Sequence, residues 1–366
     1  MILNTKNVAH YLMERGLVTR ASLVDGDLSI VETTRRNKNY KIIRRKSPAY
    51  FVKQVQKWDA QAIASLRCES SCYWLASNDP DFAALAPLLP PYFDFDVAAN
   101  ILVLGLLPGS ESLTDFHRRR GEFPLETAGE LAKILATCHA QIPARALKSS
   151  LENTFSKRVP WILSIDQMNA GGTPGISGGN AQIVQIIQRY SEFQQCLAKL
   201  RNRWQAECLT HGDVKWDNCL VLSKDDRSGA GELKLIDWEL ADFGDPCWDA
   251  GAVFQAYLSF WIFSMPQHAE ASADDLVAQA QFPVEKMQPA MRHFWKTYVE
   301  AKEISKRDEP EKLERCVSSA AARMIQTAYE YSFYAQQLSS NILYLLQVSL
   351  NVLTRPQEAI SELMGF

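Results

Sequence analysis

The sequence predicts an α+β protein: a small antiparallel sheet near the N-terminus followed by a larger, mostly helical part. Two observations carry this expectation. Short runs rich in β-branched and aromatic residues crowd residues 27–56 and 92–107, whereas beyond them apolar residues recur at helical spacing. At 366 residues the chain exceeds one ordinary core, so it is expected to form two lobes, a sheet-bearing one at 1–107 and a helical one at 108–366.

Taken in order, "LSIVETT", "YKIIRR" and "YFVKQV" read as three strands, separated by the polar turn "RRNKN" and by a break at Ser47-Pro48. "DAQAIASLRCESSCYWLAS" then reads as a helix, with Asp59 as its start signal and Ile63, Leu66, Ser70, Tyr73 and Trp74 at helical spacing. After the Pro-rich "LAPLLPPY", "YFDFD" and "NILVLGLL" read as two more strands, and "PGSES" as the exit turn. "ETAGELAKILATCHAQI" carries an apolar stripe of Leu131, Ile134, Leu135 and Cys138. The glycine-rich "NAGGTPGISGGNAQ", within the insertion 170–183, reads as a flexible loop; it lacks a P-loop lysine. Residues 182–209 and most of 248–366 read as helical, with Cys208 and Leu209 closing a helix, while "LVL" and "LKLI" around a polar turn form a hairpin that ends at Asp237.

Composition narrows the function classes. Hydrophobic residues make up 47% and charged residues 22%, with a net charge of −3, which offers no electrostatic footprint for nucleic acid. The eight cysteines are scattered without a C-x-x-C pair, which favours a reduced, cytoplasmic protein over a disulfide framework. The start of the chain has no signal-like arrangement. Its most apolar run, "GAVFQAYLSFWIFSM", is too short and interrupted to span a bilayer and reads as a buried helix, so no membrane role is expected.

The chemistry concentrates in "LTHGDVKWDN" and "LIDWELADFGDP". The hairpin returns Asp237 beside Asn218, so Asp213, Asn218 and Asp237 converge as oxygen-bearing side chains. Such a set suits magnesium better than zinc. Phosphoryl transfer uses these parts, a carboxylate for the attacking hydroxyl and an Asp and an Asn for metal on the phosphates. Each residue alone is an ordinary turn-former at a strand end.

Together, "HGDVKWDN" and "LIDWELADFGDPCWDAG" resemble the signature pair of the aminoglycoside phosphotransferase and choline kinase family, a branch of the protein-kinase-like fold with H-G-D-x-x-x-x-N and I-D-W-E…G-D-P-x-x-D. The resemblance implies a kinase using ATP, with GTP left open, and Mg2+. It implies Asp213 as general base, Asn218 and Asp237 as metal ligands, and Lys53 as a phosphate clamp held by Glu69. Independently, Glu69 lies on or beside the apolar face of its helix, where a carboxylate needs a cation. His211 is expected to brace the loop. Lys215 occupies the place where protein kinases carry a Lys near the transferred phosphate, and reads equally well as a solvated loop lysine. The literal "DFG" at Asp242-Phe243-Gly244 is not the metal motif on this reading, because Asp237 closes the strand and Asp242 leads to a turn. Asp245 and Pro246 are expected to shape that turn and Asp249 to cap the next helix. The turn "TTRRNKNYK" has no glycine, which leaves Arg35, Arg36 and Lys38 to contact phosphates. Adenine would meet backbone groups near Leu104 to Leu107.

The acceptor is a small-molecule hydroxyl on the leading reading. Acidic Glu270, Asp274 and Asp275 would suit an amine-bearing alcohol, although they fit a solvated loop better. A second reading has a Ser or Thr of a ribosomally made peptide as acceptor, with a lyase as partner, and draws on the aromatic run after residue 247 and the long helical tail. A third is a pseudokinase binding module, which the full set of Lys53, Glu69, Asp213, Asn218 and Asp237 disfavours.

Overall fold

The computed structural model describes residues 1–34, 36–45, 48–169, 176–222, 231–267 and 272–366. It divides into two compact units, one comprising 1–113, 146–156 and 217–241, the other 114–145, 157–216 and 242–366.

The first unit opens with two short helices that the sequence had not signalled, α1 (Val8–Glu14) and α2 (Arg20–Val24). Strands β1 (Leu28–Glu32), β2 (Asn37–Arg44) and β3 (Tyr50–Val55) follow, then helix α3 (Ala60–Asn78), β4 (Tyr92–Asp96) and β5 (Ile101–Gly105). The strands form one antiparallel sheet in the order β1-β2-β3-β5-β4, with Lys53 opposite Asn39 on one side and Leu102 on the other. One sheet face is apolar because Tyr40, Ile42, Tyr50, Val52, Ile101 and Val103 alternate onto it, and Val8, Tyr11 and Leu12 of α1 cover that core.

Asp59 caps α3, its carboxylate accepting the Ala62 N–H at 2.8 Å. The buried residues of α3 include Leu66, Glu69, Cys72, Tyr73 and Ala76, whereas Trp74, expected among the helix's apolar positions, is 50% exposed. A two-residue strand, β6 (Glu111–Ser112), ends this stretch.

The second unit begins with α4 (Leu113–Arg120), whose first residue still belongs to the other unit, and α5 (Leu125–Gln141), which buries Leu131, Ile134, Leu135 and Cys138 as the stripe predicts. Of the glycine-rich insertion, residues 170–175 lie outside the described residues. The remainder is not loop: Ser177 caps α6 (Gly178–Arg189) by accepting the Asn180 N–H at 3.1 Å. The glycines there permit close approach, since the Gly179 N–H donates to Ala335 O at 2.8 Å and a Cβ on Gly178 would meet Gln336 O at 2.7 Å. Helix α7 (Ser191–Asn202) stops short of Cys208. Cys208–Thr210 is strand β7, a correction to the helix end read from sequence. Three residues are too few for an alternating pattern to show.

The chain then returns to the first unit as the predicted hairpin, β8 (Cys219–Leu222) paired antiparallel with β9 (Glu232–Leu235). Its turn, 223–230, lies outside the described residues. Strand β6 adds to the other edge of β8. Back in the second unit, β10 (Asp242–Gly244) pairs with β7. Helices α8 (Pro246–Phe263), α9 (Ala273–Ala278), α10 (Val284–Ala301), α11 (Glu309–Tyr331) and α12 (Ser340–Thr354) follow, and short helical turns at Pro356–Glu358 and Ala359–Leu363 come after them. Helix α8 is buried along nearly its whole length, so its aromatic run is core. Among the described residues no helix is long and apolar enough to cross a membrane.

Candidate active site

In the first unit, Lys53, Glu69 and Asp237 form one cluster. Lys53 Nζ lies 2.7 Å from Glu69 Oε2 and 2.5 Å from Asp237 Oδ1. The Lys53 and Glu69 side chains are 8% and 1% exposed, while Asp237 is 31% exposed and faces outward from the pair. Burial alone would lower the lysine's pKa, but two adjacent carboxylates outweigh it and hold the ammonium charged. Burial pushes Glu69 up to about 7, against the pull of Lys53 and with repulsion from Asp237. One cation shared by two carboxylates leaves the cluster with a net negative charge when both are ionised, a setting that attracts a further cation.

The hairpin positions Asp237. Cys219 sits opposite Leu235, and the Ile236 N–H donates to Asn218 O at 2.9 Å, which sets Asn218 and the residues leading to Asp237 at one end of the ladder. Asp237 adopts φ 67° and ψ 53°, a left-handed conformation that Asp tolerates better than most residues. It is locked there by Trp238, which is fully buried and whose indole N–H donates to Leu235 O at 3.2 Å. The donor set, one carboxylate and one amide, is hard, oxygen-based and too small to cage an ion alone. It fits a magnesium-like ion that takes its other ligands from water and nucleotide phosphates. Among the described residues no group of three or more His, Cys, Asp or Glu is placed to hold a metal by itself.

The predicted phosphate-cover residues have other partners. Arg36 pairs with Glu239 at 2.7 Å, Lys38 donates to Leu3 O at 3.2 Å, and Arg35 lies outside the described residues. In the stretch expected to meet adenine, the Gly105 N–H goes to Pro91 O and the Leu106 N–H to Ala49 O.

In the second unit, Asp213 and Lys215 lie on the loop that leaves β7. Gly212, at φ 78°, makes the left-handed bend there. The loop is anchored by Asp249, whose carboxylate accepts the His211 N–H at 2.6 Å and the Gly212 N–H at 3.0 Å. This corrects the expectation that Asp249 caps a helix. Helix α8 starts earlier, at Pro246, and its cap is Asp245, which accepts the Cys247 N–H at 2.9 Å and pairs with Arg315. Asp249 is fully buried; bonds from His139 and the His211 amide overcome that burial and hold its carboxyl below the usual range. His139 Nε2 lies 3.3 Å from Asp249 Oδ2, and Nδ1 lies 2.8 Å from the Tyr298 hydroxyl. Burial lowers the His139 pKa despite that carboxylate, so the neutral ring donates from Nε2 and accepts the Tyr298 hydroxyl at Nδ1. His211 braces as expected, its Nδ1 accepting the Asp213 N–H at 3.2 Å.

Asp213 is 6% exposed, with Lys215 Nζ at 2.8 Å and Arg323 of α11 at 3.5 Å. Burial opposes its ionisation, but those two cations win and hold the carboxyl below its ordinary value. Asp242, in β10, has a different occupation: it accepts the Lys157 and Arg158 amides at 2.8 and 3.0 Å. The sequence reading missed Arg323, His139 and the true role of Asp249. A signal existed for the first, an arginine set within the apolar "AAARMI" of a helix. Of the acidic residues proposed for an amine, Glu270 lies outside the described residues, and Asp274 and Asp275 sit in the Ser272-capped first turn of α9.

Comparison with solved structures shows the fold. Aminoglycoside 2'-phosphotransferase-IIIa in complex with GDP superposes with a TM-score of 0.55 at 14% identity, covering 95% of this chain and 99% of that one. The amicoumacin kinase hAmiN, in complex with AMP-PNP, Ca2+ and Ami, gives 0.54 at 14% identity, with 96% of each chain covered. The streptomycin-ATP-APH(2")-IIa ternary complex gives 0.51 at 12% identity, with 96% and 99% covered. No curated protein sequence matches the chain. The sequence pattern of the phosphotransferase enzyme family matches residues 37–294, well over half of its length. With a protein-kinase-like α+β fold and that match, the chain belongs to the phosphotransferase enzyme family.

Proposed function

We propose that this enzyme transfers the γ-phosphoryl group of ATP, with Mg2+, to a hydroxyl of a small molecule. The observation that carries the proposal is the buried Lys53–Glu69–Asp237 cluster, a fixed cation beside a partly exposed carboxylate. In this reading Lys53 binds nucleotide phosphate oxygens and Glu69 keeps it in place. Asn218 and Asp237 would hold the metal, which when bound would neutralise charge on the phosphates. Asp213, held ionised by its neighbours, orients the acceptor hydroxyl and takes its proton as the new P–O bond to the γ-phosphorus forms and the bond to the β-phosphate oxygen breaks, releasing ADP. Lys215, 2.8 Å from Asp213, is assigned in this reading to the charge that develops on the transferred phosphate.

Two similar structures support an adenine nucleotide as donor and a small molecule as acceptor, since they hold AMP-PNP with Ami and ATP with streptomycin, while a third holds GDP. The peptide reading keeps only one of the two features it drew on, the long helical tail, because the aromatic run of α8 is core.

The test is ATP consumption, with Mg2+, across aminoglycosides, choline-type alcohols, sugars and Ser/Thr peptides, followed by two variants on the acceptor that turns over. Asp237→Asn is expected to abolish metal-dependent turnover, whereas Asp242→Asn, which alters an anchor for the Lys157 and Arg158 amides and the Arg158 side chain, keeps much of it. Equal loss in both would refute the metal assignment, and turnover confined to Ser/Thr peptides would refute the small-molecule acceptor.

A further inference from the structure

We infer that Arg323 is a positioning residue for phosphoryl transfer, holding the Asp213 carboxylate and its loop in the geometry the acceptor hydroxyl requires. The inference rests on the proposed role of Asp213 as base and adds to it a residue from a helix beyond the matched family range, which ends at residue 294.

The contacts define what Arg323 does. Its Nη2 lies 3.5 Å from Asp213 Oδ1, and its Nη1 donates to Gly212 O at 3.0 Å. The same guanidinium lies over the Trp248 ring at 5.0 Å from the centroid. One planar group thus grips the side chain of Asp213, the backbone just before it, and the first turns of α8. Arg323 is 3% exposed, and burying a guanidinium that deeply is costly unless it meets charge and acceptors. Its Nε has no hydrogen-bond partner among the described residues, so the residue is held for the contacts its two terminal nitrogens make.

Lys215 also touches Asp213, at 2.8 Å on Oδ2, but its side chain is 41% exposed and sits on the same loop. A partly exposed lysine two residues away on the same loop does not tie that loop to the helical core, whereas Arg323, 110 residues distant in sequence, does. The two cations therefore divide the carboxylate, the lysine on one oxygen and the arginine on the other. Facing Asp213 are Lys215 and His211 from its own loop and Arg323 from α11; removing the arginine removes the charge that is fixed.

The experiment compares wild type, Arg323→Gln and Arg323→Lys as full-length proteins on the acceptor found above, at saturating ATP and across pH. Arg323→Gln is expected to lower kcat about ten- to a hundredfold, with the KM for ATP unchanged. It should also move the acid limb of kcat about one pH unit higher relative to wild type, because a neighbouring cation no longer favours the ionised base. Arg323→Lys keeps the charge and should return the limb toward its wild-type position, with part of the rate. An unchanged kcat and acid limb in a folded Arg323→Gln protein would overturn the inference, as would a Lys variant no better than Gln on both measures. If Arg323→Gln does not fold, the Lys variant alone decides, since its limb must match wild type while its rate falls. An Asp213→Asn control separates the two claims: if it stays fully active, the base assignment has failed, not the positioning argument alone.

Discussion

His117 is a buried side chain that ties the stability of the fold to pH. It is 1% exposed, its Nδ1 lies 2.9 Å from Glu122 O, and its ring lies 4.6 Å from that of Trp216, next in sequence to Lys215. Burial, the largest effect, pulls its pKa from 6.5 down to about 4. The unfolded chain therefore binds a proton near pH 6.5 that the folded chain refuses until about pH 4. Stability is full above that window and is lost as pH falls through it, by up to about 3 kcal/mol. His139, also lowered, adds with the same sign. Melting temperatures measured between pH 7 and 4 should fall, and should fall less steeply in His117→Phe; matching slopes in both proteins would contradict this account. At the same scale, Lys53 was legible through the family resemblance, which expects a Lys on the third strand, and Glu69 also through its place on the apolar helix face. Asp249 and Arg323 were not, because their partners lie 37 or more residues away and no periodicity links them.

Elements were legible wherever they were long or capped. The three early strands, the Asp59-capped helix and the hairpin ending at Asp237 each carry a pattern of several residues. The misreadings came where glycine or brevity spoke instead. Gly178 and Gly179 look like flexibility but allow α6 to approach the segment around Ala335 closely, and β7 is a strand through pairing with residues distant in sequence, β10 on one side and Ile142–Pro143 on the other. Gly251 of α8 belongs to the same class. A Cβ there would meet Cys316 O at 2.5 Å and Ala320 N at 2.9 Å, both backbone atoms of α11. In an exposed helix, Gly to Ala stabilises by about 1 kcal/mol. Here the clash should win, so that Gly251→Ala destabilises by about 1–3 kcal/mol in chemical denaturation. A more stable Gly251→Ala protein would show that α8 and α11 do not pack this closely. The contact matters to the site because α8 carries Asp249 and α11 carries Arg323.

Across the whole molecule, the residues assigned to chemistry are divided between the two units. Lys53, Glu69, Asn218 and Asp237 belong to the first and Asp213, Lys215, Asp249 and Arg323 to the second. The boundary passes between Trp216 and Asp217, inside the motif that first suggested phosphoryl transfer. This explains why the motif was readable and its support was not. The motif is one continuous stretch, while its anchors come from α5, α8 and α11, helices whose own sequences look like ordinary core. Acceptor identity is the least legible feature, because recognition of a small molecule is spread over side chains that share no spacing rule. The central claim, that Asp213 serves as the base of phosphoryl transfer from ATP, is tested most directly by kcat for Asp213→Ala on the acceptor identified by ATP consumption. The account predicts a fall of about 10²- to 10⁴-fold with the melting temperature and ATP affinity retained; a kcat equal to wild type would contradict it.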